Sequence, residues 1–170
     1  MNRNSPKTHE LVLTTMQRRN NKRKKPLMVA KECIERKRDI EFLKKVWISD
    51  EIHWGVVTEK PLCKGDFIAE YRGKLCFEEP KESAYKFEFF NKKTKYWIDA
   101  SEDDGSMARL INDEHIDPNA NIKVLHEGFA EPHLCIFAVN DIKAGEEIRY
   151  NYGKNVDFFW RKKVVKIYPS

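Results

Sequence analysis

From about Leu27 to Trp47 the apolar residues Val29, Cys33, Ile40, Leu43 and Trp47 fall at spacings of four, seven, three and four, while Glu35, Arg36, Lys37 and Arg38 lie largely off that stripe. This is the period of a helix with one buried face, and it predicts a single amphipathic helix beginning after the boundary at Pro26. Beyond Ser49 the pattern shifts to short runs with a period of two, broken by turn residues. Trp54 to Val57, Asp66 to Tyr71, Asn121 to Leu125, His133 to Val139 and Glu147 to Tyr150 read as strands, with turns at Lys64-Gly65, Glu127-Gly128 and Ala144-Gly145. Tyr85, Phe87 and Phe89 alternate with Lys86 and Glu88, the mark of a half-buried strand, and Asn91-Lys92-Lys93 then turns into a strand at Tyr96-Trp97-Ile98. Residues 1–25 carry few bulky apolar groups and no strong period, so they are expected to stay disordered. The pattern predicts a mainly β domain with short helices, led by one amphipathic helix.

A chain of 170 residues with 41% hydrophobic content supports one core and one domain. No stretch approaches the ~20 apolar residues of a membrane helix, and the basic N-terminus lacks the apolar region of a signal peptide, so the protein is expected inside the cell. Cys33, Cys63, Cys76 and Cys135 form no close pair, which predicts reduced, mostly buried thiols and no metal.

The net charge of +5 is unevenly spread: residues 1–45 hold 14 Lys and Arg against 5 acids, and residues 46–170 hold 18 against 22. The run Arg18, Arg19, Asn20, Asn21, Lys22, Arg23, Lys24, Lys25 fits a nuclear-import signal, a contact to DNA or a nucleosome, and equally a solvated tail. The acidic body attracts lysine-rich proteins and repels a nucleic-acid backbone.

Three ordered segments carry a family resemblance. The first is Trp54-Gly55-Val56 with Lys64-Gly65-Asp66-Phe67-Ile68-Ala69-Glu70-Tyr71-Arg72-Gly73. The second is Tyr96-Trp97-Ile98-Asp99-Ala100, Ala108-Arg109-Leu110-Ile111-Asn112 and Pro118-Asn119-Ala120. The third is His133 to Ala138, then Asp141 to Gly153 with Glu146-Glu147-Ile148-Arg149-Tyr150-Asn151-Tyr152. In this order over about a hundred residues the chain resembles the SET-domain protein-lysine methyltransferases. Glu35-Arg36-Lys37-Arg38 with Ile40 and Leu43 is similar to the leading helix of the histone H4-tail lysine monomethyltransferases.

The resemblance implies a SET fold, with small curved sheets and a threaded, knot-like C-terminal segment. It divides the chain into a basic tail (1–25), a flanking helix (26–48), a SET domain (49–153) and a post-SET segment without zinc (154–170). It implies S-adenosyl-L-methionine as cofactor and a basic protein or histone tail as substrate, for a nuclear, monomeric enzyme. Tyr152 matches the catalytic tyrosine, Tyr71 the residue that orients the lysine amine, and Tyr150 the position that sets the number of methyl groups, with tyrosine there implying monomethylation. Ile52, His53, Trp54 and Gly55 match the cofactor loop, with Gly55 allowing close backbone approach. Tyr96 matches a cofactor-side aromatic, Arg109 a support of the threaded segment or an ion-pair partner, and Asn112 the amide that holds the methionine part of the cofactor.

The chain departs from the family at Asp113, beside Asn112, where relatives usually carry histidine; the resemblance makes this position cofactor-binding through backbone contacts to the adenine. An aspartate there replaces a neutral ring by a negative charge, and on sequence alone Asp113→His is expected to raise cofactor affinity or turnover. Zinc-binding cysteines after residue 153 are also missing, and Phe158, Phe159 and Trp160 match either an aromatic lid over the cofactor or a hydrophobic cap. Glu146-Glu147 reads as a turn and a solvated edge, and Glu102-Asp103-Asp104 as a peptide-binding acidic loop or a solvated one. Three functions fit: methyl transfer to a lysine, a SET-like module that binds basic peptides with weak catalysis or none, and, less well, a nucleic-acid-tethered factor whose basic arm is the functional part.

Overall fold

The computed structural model describes residues 23–153. Among these residues the α-helix is α1 (Pro26–Glu35), which begins on a proline that needs no N–H partner in the first turn. It buries Ala30, Cys33 and Ile34 against Phe67, Cys135 and Phe137, a small satellite core. The helix is shorter than the apolar stripe suggests. Lys37 adopts a left-handed φ of 48°, which ends the helical path, and Leu43–Ser49 forms strand β1 instead. Leu43 therefore enters the core from a strand, and Trp47 faces its cross-strand neighbour Trp54. The last residues of the basic arm that are described hold ion pairs: Arg23 with Asp66, and Lys24 with Glu32 at 2.8 Å.

The remaining strands are β2 (His53–Thr58), β3 (Phe67–Glu70), β4 (Lys74–Cys76), β5 (Lys86–Asn91), β6 (Thr94–Asp99), β7 (Asn112–Asp113), β8 (Ala120–Leu125), β9 (His133–Ala138) and β10 (Arg149–Tyr150). They form three small sheets, ordered β1-β2, β3-β9-β8-β10-β7 and β4-β6-β5. Ile68, Ile111, Leu134, Ile136, Ile142 and Ile148 are fully buried between them, each worth about 1.5–3 kcal/mol of burial.

β10 runs parallel to both of its neighbours, β7 and β8, so the C-terminal segment is threaded between strands already laid down. Two turns steer it. Gly65 and Gly145 take φ of 91° and 83°, values open to glycine, and Lys64 N–H donates to Asp141 at 2.7 Å to tie the two turns together. Paired bonds between Leu62 and Ile142 close the contact.

Candidate active site

The threaded strand ends in the tyrosines that the sequence singles out. Tyr150 is buried and sits opposite Asp113 in the β10–β7 ladder. Two residues on, the Tyr152 hydroxyl donates to the Ile111 carbonyl at 2.6 Å and its N–H donates to Asp113 Oδ1 at 3.0 Å. The ring centroids of Tyr150 and Tyr152 lie 4.9 Å apart, Phe87 lies 6.3 Å from Tyr150, and Tyr71 lies 5.8 Å from Phe87. Four rings thus form one continuous aromatic wall. Burial is the main reason all three hydroxyls resist ionisation: Tyr71 is pushed up to about 12, and Tyr150 and Tyr152 rise well above the ordinary tyrosine value. The phenols stay neutral throughout the working pH range.

Tyr71 is held from both sides by bonds that no local pattern in the sequence announces. Its N–H donates to the Leu134 carbonyl at 2.8 Å. Glu70 meets His133 Nδ1 at 2.6 Å, and Arg72 bridges Asp39 at 3.1 Å and Asp104 at 2.8 Å. Asp39 also accepts the Met107 N–H at 2.7 Å. Glu70, Tyr71, Arg72, Asp104 and His133 border a cleft of about 430 Å³, with Asp99 among its other lining residues. The acidic loop is therefore partly consumed inside the fold: Asp104 serves Arg72, and Asp103 lies 3.6 Å from Arg109.

A second group gathers at the start of β2. The Asn112 amide donates to the Trp54 carbonyl at 3.1 Å and to Glu147 Oε1 at 2.9 Å. A Cβ on Gly55 would stand 2.7 Å from Glu147 Oε1 and 2.8 Å from Ile48 Cγ1. Close packing within the fold thus already requires a glycine here, apart from any approach by a cofactor. His53, with φ of 69°, stacks its ring on Trp47 at 5.5 Å, and Trp54 meets Trp47 edge-on at 5.1 Å. Ile52 stays exposed beside them.

β7 joins the two groups, because Asn112 reaches the Trp54 loop and its neighbour Asp113 reaches Tyr152. The structure brings Trp54, Gly55, Asn112, Asp113, Tyr150, Tyr152 and Tyr71 into one connected region. Two other sequence candidates, Tyr96 and Arg109, pack around this region, and the Arg109 charge acts on Tyr71. Tyr96 stacks on Phe89 at 5.5 Å and leans on Phe77 at 5.2 Å in the three-stranded sheet. Arg109 donates to the Ala100 carbonyl at 2.8 Å and lies 4.4 Å above the Tyr85 ring, a structural support for the loop.

Glu147 is the participant that sequence reasoning missed. It reads as a solvated turn residue, yet it positions Asn112 from 35 residues away. Glu146 does belong to its turn, accepting the Lys143 N–H at 3.0 Å, and it also meets Asn119 at 3.2 Å. All four cysteines are free, but Cys63 is exposed and Cys76 half-buried, so only Cys33 and Cys135 fit the buried reading. Among the described residues no group of three or more His, Cys, Asp or Glu could hold a metal ion, and no helix is long and apolar enough to cross a membrane. Phe158, Phe159 and Trp160 lie outside the described residues, as does most of the basic arm.

The SET domain family model matches residues 53–153, the whole of this region. The chain belongs to the SET-domain family. It is 35% identical over 111 residues to the histone-lysine N-methyltransferase Set8 of Drosophila melanogaster, covering 58% of this chain and 16% of that protein. It is 33% identical over 129 residues to the N-lysine methyltransferase KMT5A-B of Xenopus laevis, covering 68% of this chain and 36% of the relative. The chain therefore spans well under half the length of these relatives. Among solved structures, CpSET8 from Cryptosporidium superposes with a TM-score of 0.65 at 28% identity, over 82% of this chain and 70% of that one. KRYPTONITE, solved in complex with mCHH DNA, an H3(1-15) peptide and SAH, superposes with a TM-score of 0.53 at 25% identity, over 68% of this chain and 24% of that one.

Proposed function

We propose that this SET-family chain is a protein-lysine N-methyltransferase that moves one methyl group from S-adenosyl-L-methionine to a lysine of a histone tail. The observation that carries the reading is the aromatic wall from Tyr71 to Tyr152, bonded through β7 to the Trp54–Asn112–Glu147 group.

The residues present suit the cofactor. A sulfonium is cationic, and the Trp54 carbonyl and the Glu147 carboxylate, both met by the Asn112 amide N–H group, place oxygens beside the Trp54–Gly55 backbone. The backbone of Ile52 to Gly55 and the side chain of Asn112 would hold it, with Asp113 adjacent. When bound, the cofactor supplies an electrophilic methyl group.

This chain's own groups prepare the nucleophile. A lysine amine with an ordinary pKa of ~10.4 must lose its proton, and a dry aromatic passage favours the neutral form. Because the Tyr152 hydroxyl spends its hydrogen on the Ile111 carbonyl, its oxygen lone pairs remain to accept a bond from the amine. Tyr71, fixed by the clamps on Glu70 and Arg72, orients the amine from the other end of the wall. Positioning and exclusion of water then supply most of the acceleration.

The reading extends to context. The excess of acids over residues 46–170 suits a basic tail as substrate, the basic arm suits a nucleosomal DNA contact, and the protein acts as a monomer in the nucleus. Residues 49–153 form the SET domain, flanked by 26–48, with 154–170 as a post-SET segment lacking zinc. Titration calorimetry with S-adenosyl-L-methionine tests the reading: binding is expected, and about tenfold weaker binding in Asn112→Ala. No heat with the parent chain would favour a SET-like module that binds basic peptides without transfer.

A further inference from the structure

The β10–β7 ladder has only two rungs, Arg149 with Asn112 and Tyr150 with Asp113, and it ends before Tyr152. Beyond those rungs, Glu114 N–H donates to the Tyr150 carbonyl at 3.0 Å. The Asp113 side chain extends the contact by two residues, accepting the Tyr152 N–H at 3.0 Å. Tyr152 is thereby gripped at two points by one short segment: its amide by Asp113 and its hydroxyl by Ile111. Together the two bonds fix both the origin of the side chain and the place of its oxygen.

We propose that Asp113 is a positioning residue for methyl transfer, its Oδ1 setting the backbone of Tyr152 so that the Tyr152 hydroxyl stands where the amine must attack. The inference rests on the reading of Tyr152 as the transfer tyrosine. It gives Asp113 a task other than contact with the cofactor, and it depends on an acceptor oxygen at this position rather than on the negative charge. It also reverses the expectation for Asp113→His, since an imidazole has a different reach and geometry from the carboxylate that takes the Tyr152 N–H.

The test compares Asp113→Ala with Asp113→Asn, which keeps a side-chain oxygen in the same place. Asp113→Ala is expected to lower kcat about 10- to 100-fold, the range a small misplacement of a reacting group produces. Cofactor affinity measured by calorimetry should change less than about threefold, and Asp113→Asn should restore kcat to within about fivefold of the parent. Hydrogen exchange supplies a readout apart from activity: the Tyr152 amide should exchange at least about tenfold faster in Asp113→Ala and stay protected in Asp113→Asn. Parental kcat in Asp113→Ala, or an Asn variant as impaired as Ala, would overturn the proposal. So would a loss of cofactor affinity matching the loss of kcat. If Asp113→Ala does not fold, Asp113→Ser, whose hydroxyl is too short to span the gap, carries the same expectations. Tyr152→Phe separates the two readings: parental turnover there sinks the role of Tyr152, whereas an inactive Tyr152→Phe beside a fully active Asp113→Ala sinks only the role of Asp113.

Discussion

Tyr152 and Tyr150 lie two positions apart and have different tasks. Removing the Tyr152 hydroxyl deletes its bond to Ile111 and the oxygen proposed to accept from the amine, while the ring keeps its packing against Tyr150. Tyr152→Phe should lower turnover at least about 100-fold in a methylation assay. A thermal melt of the same variant should show a loss of no more than about 1.5 kcal/mol. Tyr150 is buried between Phe87 and Tyr152, where a hydroxyl can hold a water beside the amine. Tyr150→Phe makes that space easier to fill with a methyl group, and a change of ~1.4 kcal/mol alters a rate ratio tenfold. Dimethyl-lysine should therefore accumulate with the variant and not with the parent. Because burial raises Tyr71 to about 12 and pushes Tyr150 and Tyr152 well above the ordinary tyrosine value, the phenols do not ionise as the substrate amine does. The rate should rise with pH toward the amine's ~10.4 with no descending limb from the tyrosines, which a pH–rate profile would show.

At the level of elements, the sequence announces those strands whose alternation is written locally. Lys86–Asn91 begins with aromatics alternating with charges, Thr94–Asp99 appears as the apolar run Tyr96-Trp97-Ile98 after a turn, and the Lys64-Gly65 and Ala144-Gly145 turns appear as glycines. Strand β1 is hidden because its apolar residues also fit a helical period, and only pairing with β2 decides between the two. β7 is two residues long and exists only because β10 is threaded beside it, a contact no local window contains. The clamp on Tyr71 is invisible for the same reason: Arg72 meets Asp39 and Asp104 from 33 and 32 residues away. Both partners of the Arg72–Asp39 pair are nearly inaccessible, at 10% and 11% of side-chain surface. Arg72→Ala leaves a buried carboxylate without its cation and should cost about 3–5 kcal/mol in a denaturant melt. Gly55→Ala drives a methyl group into Ile48 and Glu147 and should cost about 1–3 kcal/mol while weakening cofactor binding through Asn112.

Over the whole molecule, fold and family are legible because the SET motifs keep their order, whereas Glu147's hold on Asn112 and Asp113's hold on Tyr152 emerge only from the threading. Charge also acts at this scale. Glu114 accepts the Ile116 N–H at 2.9 Å and pairs with Arg149 at 3.1 Å, and these hold its carboxyl below the ordinary 4.5. A lowered folded-state value contributes stability above the unfolded value and loses it as the pH falls, so melting temperature should drop from about pH 5 downward. Glu114→Gln should flatten that decline. The central claim is transfer of a single methyl group to a histone lysine, and it is tested most directly by incubating the chain with S-adenosyl-L-methionine and a mixture of core histones, then reading the products by mass spectrometry at long times. The expected result is one lysine site carrying one added methyl group and no more; unmodified histones, or abundant dimethyl-lysine from the parent chain, would contradict it.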